Sequence, residues 1–385
     1  MKGRFPFWLS VVICAFARPA HGASYTGIVL YELSLPGNFS AAEPSNLTAS
    51  QTAGSCFSYP LGAISHAFLW TAAGPVDINP NNLTGINQSQ AVATDGVHQV
   101  GFGNTGPGNS DEHALLWTGT DASATDLNPT NLTGFISSNA FGVDGTQQVG
   151  EATTAAFVGH AMRWNGTANS AVDLNPTNLP GITSSTAYNT DGSQQVGEGG
   201  SHALLWSGTA ESAVDLHPSG FDTSAAYANF GNQQVGEATI DSGEPFPVHA
   251  MLWKGTAASA VDLNPVNLSD ILFSTADGTN GTQQVGYGSG NPRLGVGSFN
   301  NQALVWTGTA QSALELQPLL PGGPWTDSEA LSIDSAGNIY GTASGTYNGV
   351  TDQFAVEWSV VPEPATATML LIAAGAMLTR RQRRI

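Results

Sequence analysis

The sequence predicts an all-β fold, a seven-bladed β-propeller, on three observations. Tryptophans recur at 70, 117, 164, 206, 253, 306 and 358, separated by 47, 47, 42, 47, 53 and 52 residues. Each ends a short apolar run such as His202-Ala203-Leu204-Leu205-Trp206, followed by Ser207-Gly208-Thr209 and then Ala213-Val214-Asp215-Leu216. Glycine is abundant, at 46 residues, and only 10% of the chain is charged, which fits turn-rich β structure better than long helices. A repeat of this length suits a four-stranded blade. Another β-repeat or solenoid is the alternative, but its coils use fewer residues.

Four strands are read in each unit, with the fourth as the pattern: Thr186-Ala187-Tyr188, Gln194 to Glu198, His202 to Trp206 and Ala213 to Leu216. Asp191-Gly192 supplies the first hairpin turn and Ser207-Gly208-Thr209 the third. Such a sheet cannot bury both faces alone, so neighbouring units must stack. Third strands beginning near 66, 113, 160, 202, 249, 302 and 353 give seven blades. The last unit lacks a fourth strand, and the segment Val29 to Pro36, comparable to Ala313 to Pro318, is expected to supply it and close the ring.

A polar pair repeats with the blades. His113, His160, His202 and His249 are each followed thirteen residues later by Asp126, Asp173, Asp215 and Asp262, and His66 is followed by Asp77. The sixth unit carries Gln302 and Glu315, and in the seventh Gln353 should face Glu32, with a bulge near Gln353. A hydrogen bond between the third and fourth strands is expected, a structural role, because equivalent residues spread around a ring do not converge on a metal. Trp117, Trp164, Trp206 and Trp253 are expected between blades, each worth about 4–6 kcal/mol of burial.

The ends differ from the body. Residues 1–23 read as a secretory signal, with Lys2 and Arg4 before an apolar run from Trp8 to Phe16 and a small-residue cleavage pattern at Ala20-His21-Gly22. Its removal leaves Cys56 as a single buried thiol. At the other end Pro362-Glu363-Pro364 precedes an apolar run from Ala365 to Leu378 and the arginines Arg380, Arg381, Arg383 and Arg384. This segment, 361–385, closely resembles the PEP-CTERM sorting signals of Gram-negative bacteria. The resemblance implies a transient transmembrane helix at the inner membrane, processing by an exosortase, and delivery to the cell surface or exopolysaccharide matrix.

Between residues 24 and 360 only Arg163, Lys254 and Arg293 oppose 28 acids, a formal balance near −25. Nucleic acid is therefore a poor partner. The body, 24–360, with His-Ala-(Phe/Leu/Met)-x-Trp repeated, resembles the HAF-type extracellular repeat of bacterial surface proteins. That resemblance carries no catalytic residues. A looser likeness to WD-type propellers lies in the blade His and Asp.

Turns after the first and third strands are uniform, whereas connections after the second and fourth vary in length, so the second face is expected to carry recognition. Its non-repeated charges are Asp111, Glu112, Asp241, Glu244 and Arg293. Neither a Gly-x-Ser-x-Gly elbow nor an Asp-x-Asp-x-Asp-Gly calcium loop occurs, so no catalytic or metal-binding residue is assigned. Arg163 replaces the Leu or Val of other blades and is expected to meet an acid across a blade interface. The expected function is a non-catalytic binding or structural module, exported to the surface or matrix, with exopolysaccharide or surface proteins as the expected partners. A carbohydrate-active lyase or hydrolase is the alternative, favoured by carboxylates gathered with an arginine or tyrosine in the central pocket. Acidity alone suggests a third reading, Ca2+-dependent adhesion.

Overall fold

The computed structural model describes residues 24–35, 39–58, 64–104, 111–240, 247–290, 297–298 and 300–361. They form seven four-stranded antiparallel sheets. Blades 1 to 6 span 41–77, 88–126, 135–173, 185–215, 223–262 and 273–315, and blade 7 spans 325–361 with 24–32 as its outer strand. First strands of neighbouring blades touch all the way round, including blade 7 with blade 1, so the ring is closed around a central channel.

Trp70, Trp117, Trp164, Trp206, Trp253, Trp306 and Trp358 are all fully buried. Each packs on the preceding blade. Trp206 of blade 4, for example, sits with Val149, Ala161 and Leu174 of blade 3, and Trp253 sits with Val196, Leu205 and Leu216 of blade 4. The core is thus seven inter-blade layers. A buried glutamine of the second strand ties each of five turns down: the Oε1 atoms of Gln99, Gln148, Gln195, Gln234 and Gln284 accept the amides of Gly119, Gly166, Gly208, Gly255 and Gly308 at 2.7–2.8 Å.

The histidine and aspartate of blades 1 to 5 meet at 2.7–2.9 Å from Nδ1 to Oδ2. The second aspartate oxygen accepts a backbone amide two residues on, as Asp126 does from Asn128 at 2.8 Å. Asn128 Oδ1 then accepts the Ser138 hydroxyl of blade 3 at 2.9 Å, and Ser138 Oγ accepts the Ala114 amide of blade 2 at 3.0 Å. The pair is therefore one end of a chain that stitches neighbouring blades. A second stitch comes from the Asn-Pro-x-Asn loops, where Asn82, Asn131, Asn178 and Asn267 each donate to a carbonyl of the next blade at 2.8 Å.

Blade 4 replaces the loop asparagine by His217, whose ring stacks on His202 with centroids 4.1 Å apart and bonds Ser224 Oγ at 2.9 Å. Burial, and then the facing His202, hold its pKa below the ordinary 6.5. As pH falls past that value the unfolded chain takes the proton first, so this contribution to stability is present above 6.5 and is lost progressively down to the lowered folded value. His217→Asn, the residue of four other blades, is expected to reduce the fall in urea midpoint between neutral and mildly acidic pH.

Three expectations need correction. Among the described residues no hydrogen bond joins Gln302 to Glu315. They hold the equivalent strand positions, but the carboxyl of Glu315 faces Asp270, and burial and that charge raise its pKa. In blade 7 the closing strand is Ser24–Glu32, not Val29 to Pro36, and Glu32 lies opposite Phe354 while the Leu33 amide reaches Gln353 O at 3.0 Å. Phe354 takes the place of the blade histidine and packs edge-on against Trp325 and Tyr347 at 5.7 and 6.0 Å, so an aromatic cluster replaces the polar pair. The expected bulge near Gln353 is missing, because that strand pairs continuously with Ile339–Tyr347; the irregularity falls on the closing strand, between Val29 and Tyr31.

Arg163 also departs from expectation. Its Nε is buried without a hydrogen-bond partner, and no salt bridge is formed by it among the described residues. Leu116, Leu205 and Leu252 fill the same strand position in blades 2, 4 and 5. Arg163→Leu should therefore stabilise the fold by about 1–3 kcal/mol, the cost of an unpaired buried polar group, read as a higher urea midpoint.

Candidate functional site: the central channel

Every first strand carries a β-bulge at one level. The register breaks between Pro44 and Asn46, Ala91 and Ala93, Ala140 and Gly142, Ala187 and Asn189, Ala226 and Ala228, Ala276 and Gly278, and Ala330 and Ser332. The extra residues, Ser45, Val92, Phe141, Tyr188, Tyr227, Asp277 and Leu331, all line one cavity of ≈ 560 Å³ at the centre of the ring. A bulge re-aims a side chain that regular pairing would point elsewhere.

The glycine of each Gln-Val-Gly segment makes room for it. A Cβ at Gly197 would lie 1.9 Å from Thr186 O, and at Gly150 1.9 Å from Asn139 O, far inside contact distance. Only glycine lets the second strand approach a bulged first strand so closely.

The bulged residues differ from blade to blade, and their neighbours on the second strand make the difference chemical. Tyr188 donates its hydroxyl to Glu198 Oε1 at 2.8 Å, and the charge of Glu237 acts on the Tyr227 phenol. Thr186 donates to Glu151 Oε2 at 2.5 Å, Thr275 to Glu237 Oε2 at 3.0 Å, and Asn301 to Glu329 Oε1 at 2.6 Å. Rings of three consecutive blades follow one another, Phe141 to Tyr188 at 6.2 Å and Tyr188 to Tyr227 at 5.6 Å. Two further cavities, ≈ 300 and ≈ 250 Å³, adjoin this side and share Glu198 and Ser201.

Asp277 is the exception, since its Oδ2 is buried with no hydrogen-bond partner. Burial, then the charges of Glu329 and Glu237, push its pKa well above the ordinary carboxylate range. Burial and the facing carboxylates likewise raise the phenols of Tyr188, Tyr227 and Tyr287, which stay protonated at neutral pH. The wall is a band of hydroxyl donors, carboxylates and ring faces running from blade 3 to blade 7.

This is not where the sequence placed recognition. Asp111 is exposed just before the third strand of blade 2 and Glu112 begins that strand, so neither lines the channel; Asp241, Glu244 and Arg293 lie outside the described residues. Pro362, Glu363, Pro364, Arg380 and Arg381 of the sorting segment lie outside them too. Cys56 is buried, with its thiol pushed up to about 12 by burial and then by Asp77. No group of three or more His, Cys, Asp or Glu among the described residues is arranged to hold a metal ion. No described helix is long and apolar enough to cross a membrane; the expected span, 365–378, lies outside the described residues.

Comparison with known proteins adds an address and supports the architecture. The sequence model of the PEP-CTERM protein-sorting motif matches residues 360–384, which indicates export and a membrane-associated sorting step by an exosortase-type enzyme. No curated protein sequence matches the chain. Among solved structures it is similar to prolyl oligopeptidase B from Galerina marginata, at TM-score 0.50 and 13% identity over 85% of this chain and 50% of that one. The β-propeller domain of the Trilobed protease from Pyrococcus furiosus gives 0.38 and 8% over 82% of each chain, and the putative TolB from Agrobacterium tumefaciens 0.37 and 12% over 88% of this chain and all, 100%, of that one. These likenesses concern the propeller fold alone.

Proposed function

We propose that this exported propeller is a glycan-binding module of the cell surface or extracellular matrix, associated with exopolysaccharide, and that the central channel is its site. The observation that carries the reading is the ring of bulges, which turns three aromatic side chains and a carboxyl into one cavity large enough for a sugar unit. Aromatic rings cover the apolar faces of pyranoses, and carboxylates accept their hydroxyls. The HAF-type repeat pattern agrees with such an address.

A hydrolase is the second reading, favoured by Asp277 and Glu329 gathered with Tyr188, Tyr227 and Tyr287 in the central cavity, the arrangement that the sequence criterion assigns to an enzyme. Burial, then the charges of Glu329 and Glu237, shift the Asp277 carboxyl upward, the direction a general acid requires. A lyase is disfavoured, because tyrosines raised by burial do not supply a phenolate base. The intact protein is to be tested on a glycan array and in polysaccharide pull-downs that include the producer's own exopolysaccharide. Retention without new reducing ends supports the binding module; new reducing ends establish the hydrolase; neither result sinks both.

The same topology orients the molecule. The third strand of blade 7 ends at Val361, opposite Ser24, on the side of the ring that carries the uniform turns. Ser24 and Val361 both lie on that side, so a tail held in a membrane would turn the connections after second and fourth strands outward. In cells with the tail unprocessed, Cys at Ser201 should label with an impermeant maleimide many-fold faster than Cys at Thr146. Equal rates would contradict this orientation.

A further inference from the structure

Glu151, Glu198, Glu237, Asp277 and Glu329 face the channel and its adjoining cavities, and no Lys or Arg is among the described residues lining them. Four of these acids accept a hydrogen bond from a neighbouring side chain: Glu151 from Thr186, Glu198 from Tyr188, Glu237 from Thr275 and Glu329 from Asn301. The fifth, Asp277, has an Oδ2 that is buried without a partner on a residue bulged into the cavity. An acceptor held in that state gains a full hydrogen bond from any donor that reaches it. Beside it the ring faces of Phe141, Tyr188 and Tyr227 add the negative quadrupole that attracts cations.

We infer that the channel takes an amine-bearing sugar chain, a hexosamine polymer with free primary ammonium groups, with one ammonium received by Asp277 and the sugar rings carried along Phe141, Tyr188 and Tyr227. The inference rests on the glycan reading above and narrows it. Walls this acidic repel uronates and ester sulfates. A neutral hydroxyl can donate to Asp277, but only a cation also gains from the summed field of the other four acids.

The test is calorimetric titration of the intact protein with hexamers of glucosamine, N-acetylglucosamine and glucose, and with spermidine as an amine that is not a sugar. The glucosamine hexamer should bind at least about tenfold tighter than either other hexamer, with the preference shrinking in high salt. Asp277→Asn, expected to melt no lower than the native protein, should bring the three hexamers to within about twofold. Glu198→Gln should narrow the preference less, and Tyr188→Leu should weaken all three hexamers alike. Equal binding of the three by the native protein overturns the amine inference and leaves the glycan reading standing. Binding of none overturns both. Spermidine as tight as the glucosamine hexamer keeps an amine site and overturns its assignment to sugar, and a preference that survives Asp277→Asn removes that residue from the site.

Discussion

Deleting residues 24–32 is expected to abolish the cooperative thermal transition, or lower it by more than about 10 °C, and to make the protein aggregate. The deletion strips blade 7 of its outer strand and bares Val350–Val361, a 12-residue edge with unpaired amides and carbonyls. Blades 2 to 6 end in outer strands of two residues, such as Val172–Asp173, and blade 1 in one of four, Gly74–Asp77, so they offer little edge. The lost strand also carries Tyr25, whose hydroxyl accepts Gln283 Nε2 at 2.5 Å and ties blade 7 to blade 6. A permutant that joins Val361 to Ser24 through Asn-Gly should recover the transition, because those residues are already antiparallel partners. Calorimetry of the three proteins checks this; a deletion protein that melts like the native one would show that the ring does not depend on its closing strand.

Gly197→Ala carries the second large effect. The new Cβ would meet Thr186 O at 1.9 Å, a backbone atom that cannot swing aside. Either the strands part or the bulge that aims Tyr188 into the channel is lost, at a cost of about 3 kcal/mol or more. Gly145→Ala is the matched control, since its φ of 55° is unfavourable but nothing lies within 4 Å of the added methyl. It should cost about 1–2 kcal/mol, the ordinary penalty of a left-handed residue. Denaturant unfolding of both variants checks the difference, and near-equal losses would mean that the close approach is not what fixes the glycine.

Much of the frame was legible because it repeats. Tryptophan spacing gave seven blades, and thirteen-residue His–Asp spacing matches contacts of 2.7–2.9 Å in blades 2 to 5. Repetition misled where it broke. Aligning Glu32 with Glu315 took the polar pair as a guide in blade 7, where Phe354 had replaced the histidine and the register is set by aromatic packing. Variable loops drew attention to Asp111 and Glu112, whereas the channel is built at a position inside the strands. A signal for it existed: the residue after the repeated first-strand alanine is Val92, Phe141, Tyr188, Tyr227, Asp277 or Leu331, non-repeating within repeating surroundings. Without the bulge, period-two alternation does not say where that side chain points. The asparagines of the Asn-Pro-x-Asn loops were similarly opaque, because their bonds to the next blade are set by stacking.

The central claim is that recognition runs through the channel. It is tested most directly by retention of the producer's exopolysaccharide on three immobilised proteins: the native chain, Tyr188→Ala with Tyr227→Ala, and Asp111→Ala with Glu112→Ala. Melting curves establish that each is folded. Loss of retention in the tyrosine variant, with the acid variant matching the native chain, is the predicted result. Retention that survives without the tyrosines and disappears without Asp111 and Glu112 would contradict the account and return recognition to the loop-rich face.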